Sequence, residues 1–428
     1  MKVNSLSIRH TDLDFAQDQD KNDPLAHFKD RFHFPVTDSG DPCIYFCGNS
    51  LGLQPDTARQ YLLEELEAWK KLGVDGHLKR KYPWMSYHEF LTHYTAEIVG
   101  ALDKEVVVMN SLTVNLHLLM VSFYQPRGKR KKILIENNAF PSDRYAVKSQ
   151  LKFHGNHPKD DLMILQPDQG KIITTEWILD CFNHHGDEIA LAWIGGVNYY
   201  SGQAFDMEAI TRKAHEYGCL VGFDLAHAAG NLQLKLHDWD VDFATWCGYK
   251  FLNGGPGAPS GVFIHERHFV KPDIPRFEGW WGHEKSTRFQ MPDEFIPMET
   301  AEAWQLSNPQ IFSIAPLLAS LEIFHEAGMN QLQQKSEKLT SYLELLLKSE
   351  LKDHITIITP VSVKDRGCQL SIRLNNPNIN IIDILHEKGV VCDWRDPDML
   401  RVAPAPLYNT FDDCYQFVHI LKEILNES

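Results

Sequence analysis

Short apolar runs alternate with amphipathic stretches between about residue 40 and about residue 265. Six of the runs have the composition and length of buried strands, and they lie at 105–110, 132–136, 189–195, 219–224, 241–246 and 261–266. The intervening segments 113–124 and 206–218 have helical periodicity, and the second ends at Gly218, a residue that favours a helix C-cap. This alternation predicts an α/β fold with a mostly parallel sheet that is covered by helices.

The pattern changes after residue 310. Residues 310–350 are rich in Leu and Ala and predict two helices that are divided at Gly328. Strands are then predicted at 355–360, 368–374 and 399–404, and helices at 380–389 and 410–425. We therefore predict a polar N-terminal arm at 1–45, a large domain at 46–310 and a small α+β domain at 311–428 that part of the N-terminal segment completes.

Composition narrows the class of protein. The formal net charge is −15, which is opposite in sign to the basic surface that general nucleic-acid binding needs. The first 15 residues lack the apolar core of a signal peptide, and no stretch approaches the roughly 18 apolar residues of a membrane span. Eight cysteines without any CxxC pair do not form a disulfide framework. We expect a cytoplasmic protein that binds neither nucleic acid nor membrane.

One lysine stands where a ligand of such a sheet would bind. Ligands of open parallel sheets lie beyond the carboxyl ends of the strands, and Lys250 follows the predicted strand 241–246. Bulky apolar residues flank it and glycines follow it, which favours a neutral amine that can form a Schiff base. The alternative is an ordinary surface lysine in a loop.

An acidic residue ends the neighbouring strand. Asp224 closes the run 219–224, and His227 follows three positions later. A carboxylate in this place can keep a pyridinium nitrogen protonated, although such residues also cap turns. A metal site on these two residues has no third ligand at a convincing spacing, so we expect no metal there.

Two further strand ends carry candidate cofactor contacts. Residues 111–113 open a helix, so Thr113 is either a simple N-cap or part of a phosphate site at the helix N-terminus. Neither GxxxxGK[ST] nor GxGxxG occurs, and nucleotide binding of those kinds is not supported. Phe140, after the run 132–136, is either a core residue or an aromatic face for a planar ring.

Eight motifs taken in order resemble the kynureninase family of fold-type I pyridoxal-phosphate enzymes, within the aspartate aminotransferase superfamily. They are YFCGNSLGLQP, NSLTVNLHLLM, FPSDRYA, VGFDLAHAAGN, LHDWDVDFATWCGYKFLNGGPGAP, GWWGHEKSTRF, QLSNPQI and RVAPAPLYN. The resemblance runs from about residue 40 to the C-terminus and implies a seven-stranded, mostly parallel sheet in the large domain.

The resemblance also implies an activity. It implies hydrolytic Cβ–Cγ cleavage of L-kynurenine or 3-hydroxy-L-kynurenine to L-alanine and anthranilate or 3-hydroxyanthranilate, with pyridoxal 5'-phosphate as the cofactor. The reaction would serve tryptophan catabolism through the kynurenine pathway and de novo NAD (pyridine nucleotide) biosynthesis. The enzyme would be a homodimer whose active sites are shared across the interface.

Individual roles follow from the same resemblance. Lys250 would bond the cofactor covalently, Asp224 would pair with its ring nitrogen beside His227, and Tyr249 would contact its phosphate and carry protons. Further cofactor contacts are implied for Leu112, Thr113, Phe140, Pro141, Ser142 and Asp143, and for Trp280 and Asn308 from the neighbouring subunit. The implied substrate contacts are Asn49, Ser50, His77, Asn308 and, on the α-carboxylate, the planar fork of Arg401.

Two details of the resemblance concern single positions. Some relatives carry a hydroxyl residue where this chain has Gly195, so one cofactor hydrogen bond is either missing or supplied by water. His77 and the pair Ser307 and Asn308 resemble the eukaryotic type of pocket, which implies a preference for 3-hydroxykynurenine. Otherwise His77 is a loop histidine without a role.

Two other functions stay open. A different fold-type I lyase, such as a cysteine desulfurase, would need a cysteine on a mobile loop, whereas Cys247 lies three residues before Lys250 in a predicted strand. A non-catalytic dimeric binding protein of the same fold is opposed by the presence of Lys250, Asp224 and Arg401. A yellow protein whose cofactor borohydride fixes to Lys250 would separate the enzyme from the binding protein.

Overall fold

A computed structural model describes residues 11–167, 172–271, 274–376 and 380–426. The α-helices of this part of the chain are α1 (Leu13–Lys21), α2 (Ala58–Leu72), α3 (Thr92–Val99), α4 (Leu112–Phe123), α5 (Pro141–Phe153), α6 (Pro158–Asp161), α7 (Thr175–His185), α8 (Met207–Glu216), α9 (Ile311–Ala327), α10 (Met329–Glu350), α11 (Ile381–Glu387) and α12 (Phe411–Asn426). The strands are β1 (Phe32–His33), β2 (Ile44–Tyr45), β3 (Gln54–Pro55), β4 (Val106–Met109), β5 (Lys132–Glu136), β6 (Leu162–Leu165), β7 (Ile189–Gly195), β8 (Leu220–Asp224), β9 (Phe243–Trp246), β10 (Ser260–Ile264), β11 (Ile355–Ile357), β12 (Leu370–Leu374), β13 (Val390–Val391), β14 (Asp393–Arg395) and β15 (Met399–Val402).

The larger sheet has the strand order β4-β10-β9-β8-β7-β5-β6. Strand β10 is antiparallel to both of its neighbours, and the other pairs are parallel. The predicted α/β fold with a mostly parallel sheet is therefore confirmed. Six of the strands match the predicted runs closely, whereas the sequence analysis missed β6. This edge strand is only partly buried along most of its length, so it lacks the continuous apolar run by which the others were recognised.

The smaller sheet has the order β11-β12-β15-β14 and is antiparallel throughout. Its apolar face packs with the buried side chains of α10 and α12. The N-terminal segment joins this unit, because the Asp20 carboxylate accepts hydrogen bonds from Phe411 N (2.7 Å) and Asp412 N (2.9 Å) at the start of α12. Helix α1 was not predicted from the sequence. Its single fully buried residue is Ala16, so its apolar pattern is weak.

The change from one hydrophobic core to the other occurs along α10. The buried side chains of α9 belong to the core of the larger sheet, and Leu332 near the start of α10 belongs to it as well. Leu339 and the later buried residues of α10 pack in the core of the smaller sheet. The predicted boundary at residue 310 precedes this change of core, and the domain bounds themselves stay a prediction.

Among the described residues, no single helix is long and apolar enough to cross a membrane. Helices α9 and α10 meet a criterion of length and hydropathy only as a pair, and that pair is bent by 81°.

Candidate active site

Four strands of the larger sheet end at one edge and bring polar side chains together. Glu136 ends β5, Gly195 ends β7 and Asp224 ends β8, while Lys250 follows the end of β9. The register pairs Gly195 with Asp224 and Asp224 with Thr245, so these strand ends are level with one another. They surround one cavity, which is lined by Leu112, Thr113, Glu136, Phe140, Ser142, Asp143, Gly195, Val197, Tyr199, Asp224, Ala226, His227, Cys247, Tyr249 and Lys250.

The amine of Lys250 is held against a neutral histidine. Its Nζ lies 3.1 Å from His227 Nε2 and 5.8 Å from the centroid of the Phe140 ring. Burial, followed by the positive charge of Lys250, holds the pKa of His227 well below its usual value. A neutral His227 accepts the lysine hydrogen bond at Nε2, which places its own proton on the buried Nδ1.

Glycines let the chain around Lys250 pack tightly. A Cβ atom at Gly248 would lie 2.2 Å from Pro259 O, and one at Gly52 would lie 2.4 Å from Lys250 O. Gly52 N donates to Tyr249 O at 2.9 Å, which joins the N-terminal segment to the lysine loop. A side chain at either glycine would displace the backbone that positions Lys250.

Three carboxyl groups share the cavity. Asp224 Oδ1 accepts the Ala226 N–H at 2.7 Å. Burial and the negative charge of Asp224 raise the pKa of Asp143 well above its usual value, and Asp143 Oδ1 is buried without a hydrogen-bond partner among the described residues. Burial raises the pKa of Glu136 to about 7, and Gly195 N donates to its Oε2 at 3.3 Å. The three carboxyl groups therefore favour a ligand that brings a positive charge or a hydrogen-bond donor into the cavity.

The first turn of helix α4 also borders the cavity and offers backbone N–H groups. Ser111 is the N-cap of α4, but its side chain makes no capping hydrogen bond. Leu112 and Thr113, the first residues of the helix, line the cavity. Unpaired N–H groups and the helix dipole favour an anion at this position. Tyr249 lines the same cavity, and burial raises the pKa of its hydroxyl, which therefore keeps its proton.

The residues of this cavity fit the cofactor that the sequence resemblance implies. The helix terminus suits a phosphate, the face of Phe140 suits a planar ring, and Asp224 suits a protonated ring nitrogen. Lys250 supplies an amine for a covalent bond, and the unpartnered oxygen of Asp143 can accept a hydrogen bond from the ring. All of these groups line the same cavity.

Arg401 and Asn49 do not line the cavity themselves, but hydrogen bonds connect both of them to the lining residue Tyr199. Arg401 is fully buried; its Nη1 donates to Tyr199 O at 2.7 Å and its Nη2 pairs with Asp393. Asn49 Nδ2 donates to Gln369 Oε1 at 2.9 Å, and Gln369 Nε2 donates to the same Tyr199 carbonyl at 3.0 Å. The two predicted substrate contacts thus meet the cavity through one lining residue.

The remaining predicted residues do not line the cavity within one chain. They are Pro141, Ser50, His77, Trp280 and Asn308. His77 Nδ1 lies 3.0 Å from Val74 O, and its ring packs edge-on against Trp84. Trp280 is 40% exposed and Asn308 is exposed, so both are accessible to a neighbouring subunit.

Five residues that line the cavity were not predicted as site residues from the sequence. They are Glu136, Val197, Tyr199, Ala226 and Cys247. Glu136 carried a usable signal, since it ends a buried apolar run in the same way as Asp224. A Cβ atom at Gly195 would lie 2.9 Å from Glu136 Oε1. The carboxyl of Glu136 therefore stands beside the space that a hydroxyl side chain at position 195 would need.

Comparisons with known proteins place the chain among close relatives. Residues 332–421 match the family model described as "Kynureninase C-terminal domain". The kynureninase of Koribacter versatilis (strain Ellin345) is 54% identical over 417 residues, which cover 97% of this chain and 98% of the relative. The kynureninase of Myxococcus xanthus (strain DK1622) is 54% identical over 409 residues, with coverages of 95% and 96%.

Solved structures of more distant proteins share the fold. An apo cysteine desulfurase from Thermococcus onnurineus NA1 superposes with a TM-score of 0.72, at 17% identity and with coverages of 96% and 98%. A variant of C-DES with glycine covalently linked to its PLP cofactor gives a TM-score of 0.74, at 17% identity and with coverages of 89% and 96%. At this identity the likeness concerns the fold alone.

The raised pKa of Glu136 predicts a dependence of stability on pH. Because its pKa of about 7 in the folded protein exceeds the ordinary 4.5, the folded state binds the proton more tightly, and stability declines as pH rises from about 4.5 to about 7. Glu136→Gln removes this loss, so relative to wild type it should be more stabilising at pH 8 than at pH 5, by up to about 3 kcal/mol. Urea unfolding of the cofactor-free proteins at both pH values measures the difference, with the exposed Glu208→Gln as the control. A Glu136→Gln effect that is equal at both pH values would contradict the prediction.

Proposed function

The chain belongs to the kynureninase family, and we propose that it hydrolyses the Cβ–Cγ bond of 3-hydroxy-L-kynurenine in preference to that of L-kynurenine. It is a pyridoxal-phosphate enzyme that cleaves kynurenine. The proposed products are L-alanine together with 3-hydroxyanthranilate or anthranilate. The observation that carries the proposed chemistry is a single cavity lined by the amine of Lys250, the carboxylate of Asp224 and the N-terminus of α4.

The residues around the cavity suit the binding of the cofactor. When bound, pyridoxal phosphate supplies an electron-withdrawing ring that stores the electrons released when a bond at the substrate Cα breaks. Asp224 would keep the ring nitrogen protonated, and Asp143 and Glu136 would hold their own protons beside it, since burial raises the pKa of both. The N–H groups of Leu112 and Thr113 would hold the phosphate.

Lys250 is the proposed base at Cα. Its amine is within hydrogen-bond distance of Nε2 of the neutral His227. Nε2 accepts a hydrogen bond from the amine and thereby orients Lys250 Nζ. We propose that Lys250 removes the Cα proton of the substrate and returns protons during later steps. Water then attacks the γ-carbonyl and the Cβ–Cγ bond breaks, so that one water molecule is consumed for each pair of products.

Tyr249 is the proposed proton carrier of the later steps. It precedes Lys250 in the same loop and lines the same cavity. Burial and the adjacent Cys247 raise the pKa of its hydroxyl, so the group is present as a donor at neutral pH. A protonated hydroxyl can deliver its proton to the substrate Cβ after the Cβ–Cγ bond has broken.

Arg401 is the proposed clamp for the substrate α-carboxylate. Its Nη1 and Nη2 are already bound to Tyr199 O and Asp393, while its Nε is buried without a hydrogen-bond partner among the described residues. A carboxylate that approached through the side of Nε would satisfy this donor and compete with Asp393 for the guanidinium. Asn49, Ser50 and His77 are proposed as further substrate contacts.

Cys247 bears on the alternative of a cysteine desulfurase. Cys247 is the first residue after β9. Its side chain is buried, and burial raises the pKa of the thiol. A sulfur acceptor needs an accessible thiolate that can move to the substrate, and Cys247 has neither property. The likeness to a solved cysteine desulfurase is therefore a likeness of fold, and we favour kynurenine hydrolysis.

We propose that a second copy of the chain completes the site. An apolar strip on α2 consists of Leu63, Leu66 and Trp69, which are 48%, 47% and 60% exposed, and Trp69 contacts Phe312 of α9 at a ring-centroid distance of 6.0 Å. An exposed strip of this kind is typical of a surface that another protein covers. A homodimer would bury it and bring Trp280 and Asn308 of one subunit to the cavity of the other.

The proposed setting is the cytoplasm. The eight cysteines are free thiols, and each is buried or partly buried, which agrees with a reducing compartment. In that setting the reaction would serve tryptophan catabolism through the kynurenine pathway and the biosynthesis of NAD. We propose no nucleic-acid or membrane partner for an enzyme with a net charge of −15.

Lys250→Ala tests the proposed chemistry. The variant should lose at least about a thousandfold in kcat, since it lacks both the covalent anchor and the base. Borohydride should fix the cofactor to wild type and to the control Lys152→Ala, whose lysine is exposed on α5, but not to Lys250→Ala. Mass spectrometry of the reduced proteins locates the adduct. An adduct on another lysine, or full turnover by the variant, would overturn the assignment.

The substrate preference is tested by side-by-side assays. Wild type should have the higher kcat/KM on 3-hydroxy-L-kynurenine. His77→Gln should lower the ratio of the kcat/KM values for the hydroxylated and unhydroxylated substrates about tenfold, because a lost hydrogen bond to the 3-hydroxyl costs about 1–3 kcal/mol. The exposed His157→Gln is the matched control and should leave the ratio unchanged. A preference of wild type for the unhydroxylated substrate would show that the proposal is wrong.

The shared site is tested by subunit complementation. Lys250→Ala and Asn308→Ala homodimers should each be inactive or nearly so. Unfolding and refolding an equal mixture should restore about a quarter of the wild-type activity, since half of the dimers are mixed and each mixed dimer has one intact site. Mixing Lys250→Ala with Asp224→Ala is the control, because both residues belong to one chain's cavity. Recovery in neither mixture, with dimers formed in both, would place Asn308 outside a shared site.

A further inference from the structure

A second cluster of polar side chains lies at the other edge of the larger sheet. Glu105 directly precedes β4, and His265 directly follows β10. Since these strands are antiparallel, with Phe263 paired to Val106, the start of one lies beside the end of the other. His237 reaches the same place from the segment that leads to β9. The cavity described above lies beyond the opposite ends of the strands, so this cluster takes no part in it.

The three side chains converge on one point. Glu105 Oε1 lies 3.0 Å from His237 Nδ1 and 3.7 Å from His265 Nδ1, and one ligand atom from each residue lies within 4.8 Å of the others. The two imidazole rings are stacked, with centroids 5.0 Å apart and planes inclined by 15°. Ligand atoms about 2.0–2.2 Å from a tetrahedral zinc ion are about 3.3 Å apart, which is between the two measured separations.

Neighbouring groups hold these side chains in place. Glu105 is fully buried, and its carboxylate accepts hydrogen bonds from Leu102 N at 3.0 Å and Glu266 N at 2.9 Å. His265 Nδ1 accepts the Arg267 N–H at 3.3 Å, a long hydrogen bond that an ion at this point would replace. Its second ring nitrogen, Nε2, lies 3.4 Å from Asp240 Oδ1. A carboxylate on the far nitrogen of an imidazole is the usual arrangement that orients a metal-binding histidine.

The charge of Glu105 also favours a cation at this point. In the described part of the chain, the ion pairs of its carboxylate are with the two histidines, His237 and His265. The nearby cations are engaged elsewhere, since Lys104 pairs with Glu266 and Arg267 pairs with Asp240. A buried carboxylate is costly unless a positive charge compensates it.

Two other groups of similar composition lack these properties. In the group of His88, Glu89 and Glu302, Lys285 Nζ lies 2.9 Å from Glu89 Oε1 and 3.0 Å from Glu302 Oε1, so a lysine already fills the place of a cation. In the group of His93, Glu97 and His325, all three side chains are exposed, so water solvates the carboxylate of Glu97. Among the groups found in the described residues, the one at Glu105 alone combines burial and orientation with a carboxylate that no lysine or arginine pairs.

We propose that Glu105, His237 and His265 bind one divalent transition-metal ion, such as Zn²⁺, with water as the fourth ligand. Two imidazoles and one carboxylate favour zinc or cobalt over magnesium or calcium. His237 is the partly exposed member of the three, and its side gives water access to the open position. The ion joins the start of β4, the end of β10 and the segment before β9, so its role is to stabilise the sheet edge opposite the active site.

Metal binding to the intact holoenzyme tests this site. The protein is stripped with a chelator, checked for retained cofactor and titrated with Zn²⁺ in the presence of excess Mg²⁺. Bound metal is then measured after dialysis, and Co²⁺ is used in parallel because tetrahedral cobalt gives visible bands that a difference spectrum separates from the cofactor. The test variant is His237→Gln/His265→Gln, and the matched control is His93→Gln/His325→Gln in the exposed group. Circular dichroism and cofactor content verify that both variants are folded.

Wild type and the control should bind one ion per chain with a tetrahedral cobalt spectrum, and the test variant should bind at least tenfold more weakly. Zn²⁺ should raise the melting temperature of wild type and the control but not that of the test variant. If the test variant does not fold, Glu105→Gln replaces it with the same expected loss. The proposal is overturned if wild type binds no stoichiometric ion, if the test variant or its substitute retains full affinity, or if only the exposed-group variant loses it. In those cases the cluster is a hydrogen-bond network alone.

Discussion

Parallel pairing of β7, β8 and β9 decides where this protein can carry out chemistry. Because the three strands run in one direction and are in register, Gly195, Asp224 and Thr245 are level at one edge of the sheet. Asp224 at the end of β8 then faces the same cavity as Gly195 at the end of β7 and Lys250 after β9. The loop that carries Lys250 begins at that edge, so its amine reaches His227 without any long-range rearrangement of the chain.

Crowding of charge is the consequence of this geometry. Glu136 and Asp224 at strand ends and Asp143 in the first turn of α5 cannot all be ionised in one buried space. The raised pKa values of Glu136 and Asp143 express this conflict. The opposing group is the amine of Lys250, which lies within hydrogen-bond distance of His227. Burial, and next the charge of this amine, lowers the pKa of His227 and keeps the imidazole neutral. A protein with such an arrangement stores electrostatic free energy that a ligand with a cationic ring nitrogen can release. This is the physical basis on which the kynureninase family membership and the cavity agree.

The two edges of the larger sheet have different characters. At the catalytic edge, glycines and loops bring backbone close together. Several buried polar atoms there have no hydrogen-bond partner among the described residues, for example Asp143 Oδ1 and His227 Nδ1. At the other edge, acidic residues are tied to backbone N–H groups and imidazoles, as at Glu105. Unsatisfied groups suit a place where an organic cofactor must bind. At the other edge the linked groups hold the strands together, and the proposed ion would add one more link between them.

Local patterns of hydrophobicity were enough to predict the α/β class, most strands of the larger sheet and the residues at their ends. Buried parallel strands are continuous apolar runs, and a polar residue that closes such a run is conspicuous. It did not reveal α1 or β6, whose burial is too slight to impose a pattern. Three features of the sites required the folded structure. Glu136 shares the cavity with Asp143 and Asp224, and Arg401 reaches the cavity through Tyr199. Glu105, His237 and His265 converge at the other edge. These contacts join residues far apart in the chain, and their distances depend on strand order and register, which local patterns of hydrophobicity do not encode.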